Sequence, residues 1–80
     1  MKRIRYKNEY GTLVSEPMLA GKDEIILLVY PKTLSYHIRI NGQVHSIGSA
    51  KSIQMLKRNA REEVISLGVN FKAEVRPRIK

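Results

Sequence analysis

Ser35-Tyr36-His37-Ile38-Arg39-Ile40-Asn41-Gly42-Gln43-Val44-His45-Ser46-Ile47, followed at once by Gly48 and Ser49, is the stretch on which the fold turns. Two alternating runs flank Asn41-Gly42, the dipeptide that most readily takes up the left-handed backbone of a tight hairpin. With a two-residue turn, Ile40 faces Gln43 and Ile38 faces His45, which mixes polar with apolar. With a three-residue loop Ile40-Asn41-Gly42, Arg39 faces Gln43, Ile38 faces Val44 and His37 faces His45. One side then carries Tyr36, Ile38, Val44 and Ser46; the other carries His37, Arg39, Gln43 and His45. Because a one-residue slip exchanges the faces of a strand, segregation favours the second register, with Ile47 alone out of place.

Downstream, Ile53, Leu56, Ala60, Val64 and Leu67 recur at spacings of three and four. They form one apolar stripe roughly 80° wide, which predicts an amphipathic helix over about residues 50–67. Ser49 is the expected N-cap, since its hydroxyl can accept an orphan amide hydrogen bond. Gly68 is the expected left-handed stop. Beyond it, Phe71, Ala73 and Val75 alternate with Lys72, Glu74 and Arg76 and predict a last strand ended by Pro77.

Upstream, Ile25-Ile26-Leu27-Leu28-Val29-Tyr30 is a short apolar run closed by Pro31 and reads as a central strand buried on both faces. Residues 16–24, with Pro17 and Gly21, read as a loop. Residues 2–7 alternate, Ile4 and Tyr6 against Arg3, Arg5 and Lys7, as in a half-buried strand. Gly11 marks a turn, and Thr12 to Ser15 a short return. The expected architecture is therefore α+β: a mostly antiparallel sheet of four to six strands with one helix packed on one face, in the order β-β-β-β-β-α-β. The opposite face would be open.

Eighty residues hold one hydrophobic core, so a single domain over 1–80 is expected, with the basic end 76–80 as a disordered arm or a frayed terminus. There is no cysteine, which removes disulfides and thiolate metal sites and agrees with a reducing compartment. The longest apolar run falls far short of the roughly 20 residues of a membrane span. Met1-Lys2-Arg3-Ile4-Arg5 has no apolar stretch behind it, so no secretory leader is expected. A cytoplasmic protein with no membrane partner follows as the expectation.

Charge is the dominant property. Fifteen Lys and Arg against seven Asp and Glu give a net charge of +8. Residues 1–10 and 70–80 each carry +3, whereas 11–24 carry −2. A field of this sign attracts polyanions and raises their association rate. Catalysis is not expected. Asp23 is the lone aspartate, and Glu62 and Glu63 are adjacent on the predicted helix and so point about 100° apart. No serine sits in a nucleophile elbow and no glycine-rich phosphate loop exists. His37 and His45 fall short of the three or four ligands that a metal site normally needs. No metal and no cofactor are therefore expected.

The basic residues fall into groups. Arg3, Arg5 and Lys7 form a ladder on the first strand, suited to phosphates or equally to protecting a sheet edge. Arg39 lies with His37, Gln43 and His45 on the polar hairpin face, and Arg76, Arg78 and Lys80 lie in the tail. Lys51, Lys57, Arg58 and Arg61 form a secondary basic surface on the helix. Tyr6, Tyr10 and Tyr36 are candidates for base stacking. The segment Tyr36 to Leu67, about 40% of the chain, resembles the sheet-then-helix end of double-stranded-RNA-binding domains. It is also similar to the three-stranded DNA-binding domains of plant AP2 factors and integrase arm-binding domains. It departs from the first in lacking an initial helix and paired lysines at Lys51-Ser52-Ile53-Gln54. The strand predicted after Gly68 fits neither. The functional expectation is a small, basic, non-catalytic protein that binds DNA or RNA. The alternative is a module that binds and modulates a larger acidic protein.

Overall fold

The computed structural model describes residues 4–69. Six strands precede one helix: β1 (Tyr6–Glu9), β2 (Thr12–Ser15), β3 (Met18–Ala20), β4 (Asp23–Tyr30), β5 (Ser35–Ile40), β6 (Gln43–Ser49) and α1 (Ile53–Ser66). All six strands belong to one sheet in which every pairing is antiparallel. The order is β1-β2-β4-β5-β6, with β3 sharing the β4 edge that β2 leaves free. The α+β expectation therefore holds, with a correction to the element order. Among the described residues the helix comes last, and the strand predicted over 71–76 lies outside them.

The expected loop over 16–24 contains β3 and the first residues of β4. Between the Val14–Leu28 pair and the Met18–Ile25 pair, Ser15, Glu16 and Pro17 face only Leu27 and Ile26. This is a bulge, placed where Pro17 has no amide hydrogen to give the ladder. Ser15 mends the interruption: its buried hydroxyl accepts a hydrogen bond of 2.8 Å from the Leu27 amide and donates one of 3.0 Å to the Glu16 carbonyl.

The hairpin register also differs from the expected one. Ile40 pairs with Gln43 and Arg39 with Val44, so the turn has two residues, Asn41 at φ 52° and Gly42 at φ 87°. Both lie in the left-handed region that the tightest hairpin turn requires. A second bulge resets the pairing beyond Arg39, and polar and apolar side chains stay mixed, with Gln43 beside Ile40 on the core side and Val44 beside Arg39 on the other. His45 is the extra residue, and beyond it Ser46 faces Ile38, Ile47 faces His37 and Gly48 faces Tyr36. His37 and His45 are therefore not opposite one another. Asn41 also ties this turn to the start of β4, accepting from the Glu24 amide at 3.0 Å and donating to the Asp23 carboxylate at 3.0 Å.

The core lies between one face of the sheet and α1. Ile25, Leu27 and Val29 of β4, Tyr36 and Ile38 of β5, and Leu56, Ala60 and Val64 of α1 are all buried. Each large side chain so removed from water stabilises the fold by about 1.5–3 kcal/mol. The central strand is buried on this face only, since Ile26, Leu28 and Tyr30 are half-buried on the other. The N-cap is Ser52, which accepts from the Met55 amide at 3.2 Å, and not Ser49, which closes β6 opposite Ser35. Helix α1 ends as expected at Gly68, φ 114°. The Gly68 amide donates to Ile65 and the Val69 amide to Val64, satisfying carbonyls that the helix leaves open.

A polar clasp fixes α1 against the hairpin. Glu63 accepts from the Tyr36 hydroxyl at 2.8 Å and from the Ser46 hydroxyl at 2.5 Å. The Tyr36 ring reaches Glu63 by lying flat across Gly48, where a Cβ would come within 2.3 Å of the ring. Burial, and after it the Glu63 carboxylate, push the Tyr36 hydroxyl up to about 12.

Candidate nucleic-acid interface

Residues that alternate away from the core gather on the other face of the sheet, and no described helix or strand lies over them. One row across the strands runs Lys7, Val14, Leu28, His37, Ile47. The next runs Ile26, Arg39, Val44. On the other flank Tyr30 pairs with Ser35, which pairs with Ser49. Arg39 and His37 are thus near the middle of an open, largely aliphatic surface, two residues or about 7 Å apart along β5. Val44 and Ile47 are among the most exposed large apolar side chains, at 49% and 65%.

Within this face, Tyr30 and His37 touch. Their ring centroids are 4.7 Å apart and the planes are tilted by 59°. Arg39 Nε and His37 Nδ1 are buried without a hydrogen-bond partner among the described residues. Such groups cost about 1–3 kcal/mol each when they go unsatisfied.

The predicted site residues are only partly brought together. Arg39 and His37 share the open face as expected, and Lys7 joins the His37 row from β1. Gln43 does not share it: the two-residue turn sets Gln43 against Ile40, on the core side. His45, as the bulged residue, is exposed but has left the His37 position to Ile47. Arg5 is exposed one residue ahead of β1. Arg3, Arg76, Arg78 and Lys80 lie outside the described residues.

The basic helix surface is on the far side of the sheet from Arg39. Lys57 reaches β1 there, with its ammonium 5.2 Å from the centroid of the Tyr6 ring, a cation–π contact. Burial pushes the Tyr6 hydroxyl up to about 12. Ile4, Tyr6, Lys57 and Arg61 line a depression of about 260 Å³. Arg5, Lys7, Val14 and Pro17 contribute to another of about 470 Å³. Glu9 and Glu16 line the same depression, so Arg5 and Lys7 are balanced there by two carboxylates, whereas Lys57 and Arg61 give the helix side of β1 its positive charge. Arg58 pairs with Glu62 at 3.6 Å in full solvent and Lys51 is exposed, so both are ordinary surface charges.

No family model, curated protein or solved structure matches this chain. The site therefore rests on its own chemistry. Among the described residues no group of three or more metal-ligating side chains occurs, and no helix is long and apolar enough to cross a membrane.

The tyrosines divide differently from the sequence expectation. Tyr36 is buried in the clasp, the Tyr6 hydroxyl is enclosed, and Tyr10 is fully exposed in the β1–β2 turn. Tyr30, which sequence reasoning assigned to a doubly buried strand, is the tyrosine on the open face. The available signal was its place directly before Pro31, at the end of a strand whose alternate residues must face opposite ways.

Proposed function

We propose that this protein is a non-catalytic nucleic-acid-binding module that uses the face of its sheet opposite α1, over which no described element lies. The observation that carries the reading is that Arg39 and His37 on β5 share that face with Lys7, in the His37 row, in a chain of net charge +8; Glu9 and Glu24 lie on the same face nearer its other edge. A cation amid aliphatic surface is poorly hydrated and meets a phosphate or base oxygen at low cost. At the β1 edge Arg5 and Lys7 stand beside Glu9 and Glu16, so long-range attraction of a polyanion comes from the net charge of the whole chain and not from this rim.

Fluorescence anisotropy with short labelled DNA and RNA, at several salt concentrations, tests the reading. Three neutralised phosphates, at Arg5, Lys7 and Arg39, give a slope of log K against log salt of about −2 on single strands, and more cations steepen it. Absence of binding up to ~100 μM at low salt, the weak limit of non-specific complexes, refutes it.

A second reading is favoured by Val44 and Ile47, which expose apolar surface on the same face. Patches of this kind mark protein contacts. A protein-interaction module would bind one partner in stoichiometric amount after nuclease treatment, with little dependence on salt.

A further inference from the structure

We propose that the face of the sheet opposite α1 takes single-stranded DNA or RNA in preference to duplex, with a base stacked on the Tyr30–His37 ring pair and the adjoining phosphates met by Arg39 and Lys7. The inference rests on the reading above that the face binds nucleic acid, and names its substrate class.

Two observations carry it. The first is width. The path β1-β2-β4-β5-β6 sets five strands side by side, which at the usual strand spacing is roughly 19 Å from first to last. The major groove of B-form DNA is about 12 Å wide and admits a helix or a two-stranded ribbon. Hairpin β5–β6 alone would fit, but β4 is paired to β5 over six residues and β2 and β3 continue the same surface. The whole platform is therefore too wide to enter the major groove of an undeformed duplex.

The second is what the face displays. Reading base edges takes paired donors and acceptors, and Gln43, the side chain best able to supply them in the hairpin, is turned to the core side. The face instead holds Ile26, Leu28, Val44 and Ile47 around two rings in contact. Apolar and aromatic surface is complementary to the faces of bases, which a duplex keeps stacked and a single strand exposes; with the two planes tilted by 59°, a base stacks on one ring and meets the other at its edge. Ser35, paired with Tyr30, and Arg39, two residues from His37, place a hydroxyl and a cation on either side of the rings.

The experiment compares a labelled single strand of about ten nucleotides with the hairpin duplex containing the same sequence, in DNA and in RNA, by anisotropy at one salt concentration. The wild-type protein is expected to bind the single strand on the order of tenfold more tightly. Tyr30→Leu, which keeps an apolar side chain on the sheet, is expected to lose on the order of tenfold in single-strand affinity, and Tyr30→Phe to retain it. Equal or tighter duplex binding by the wild type overturns this inference while leaving the broader reading standing. So does a Tyr30→Leu variant of undiminished affinity and unchanged melting temperature. Failure to bind either form refutes the nucleic-acid reading itself, and salt-insensitive capture of a single protein would then be the positive sign of the protein-interaction alternative.

Discussion

Replacing Gly48 by alanine tests the clasp between hairpin and helix. A Cβ at this position would lie 2.3 Å from Tyr36 Cζ, 2.4 Å from its hydroxyl oxygen and 2.5 Å from Cε2. None of these is tolerable as a non-bonded contact, so something must move. Holding the ring in place forces the backbone of β6 outward, an overpacking strain of about 1–3 kcal/mol. Swinging the ring away breaks its hydrogen bond to the Glu63 carboxylate, worth about 1.5–3 kcal/mol. By either route the substitution is expected to cost roughly 2–3 kcal/mol. A chain of this length has only about 4–12 kcal/mol of total stability. Urea denaturation followed by far-ultraviolet circular dichroism reads the change as a lower midpoint at constant slope. The same substitution in a Tyr36→Leu background supplies the decisive control. Leucine does not reach across Gly48, so alanine there meets nothing and recovers about 0.5–1 kcal/mol by restricting the unfolded chain. The sign of the effect should therefore reverse. A cost below about 1 kcal/mol in the wild type, or one that persists with Tyr36→Leu, would refute the steric argument.

Ser15→Ala removes the hydroxyl that receives the buried Leu27 amide, and is expected to cost about 1–3 kcal/mol and to speed hydrogen exchange at Leu27. Tyr36 and Tyr6 both ionise near 12 in the folded protein against about 10 when unfolded. The neutral forms are thus favoured by folding, and their stability contribution is full below pH ~10 and lost as pH rises through ~12. Glu63→Gln should lower the Tyr36 value only part of the way in a tyrosinate absorbance titration, because burial, the larger cause, remains. Arg39→Gln should leave the melting temperature within a degree or two. It should weaken nucleic-acid binding and make the single-strand salt slope about 0.7 shallower, the loss of one phosphate contact.

The elements most legible in the sequence are those specified by a local rule. The 3–4 spacing of Leu56, Ala60 and Val64 located α1, and Asn41-Gly42 located the hairpin, because each pattern acts within a few residues. What escaped was set by tertiary pairing. A uniformly apolar run such as Ile25 to Tyr30 has no alternation to show which residues face which way, so an open face was expected but Tyr30 could not be placed upon it. The hairpin register failed for a related reason. Segregation of faces is a sound criterion for a regular ladder, but here the tight Asn41-Gly42 turn and the bulge at His45 set the register, and β6 turns Gln43 and Ser46 to the core side and Val44 and Ile47 away from it. The helix cap moved from Ser49 to Ser52 because pairing of Ser49 with Ser35 carries β6 to that point, a long-range contact that no cap preference encodes. Charge and alternation put Arg39, His37 and Lys7 on one face of the sheet, as the pairings have them, whereas the register set Gln43 and His45 elsewhere.

The His45 bulge has a consequence for solubility. Among the described residues strand β6 ends the sheet, and from Gln43 to Ser49 it contains neither Lys, Arg, Asp, Glu nor proline. A long uncharged edge with Val44 and Ile47 exposed is a template for other chains to join. The bulge interrupts that template by leaving one residue out of the repeat and sharpening the local twist. Deleting His45 would bring Val44 and Ser46 into an unbroken ladder against Arg39 and Ile38 without moving any other side chain to the wrong face. The fold would survive, but its last strand would be straight enough to recruit a neighbour, and the protein would begin to aggregate from its native state.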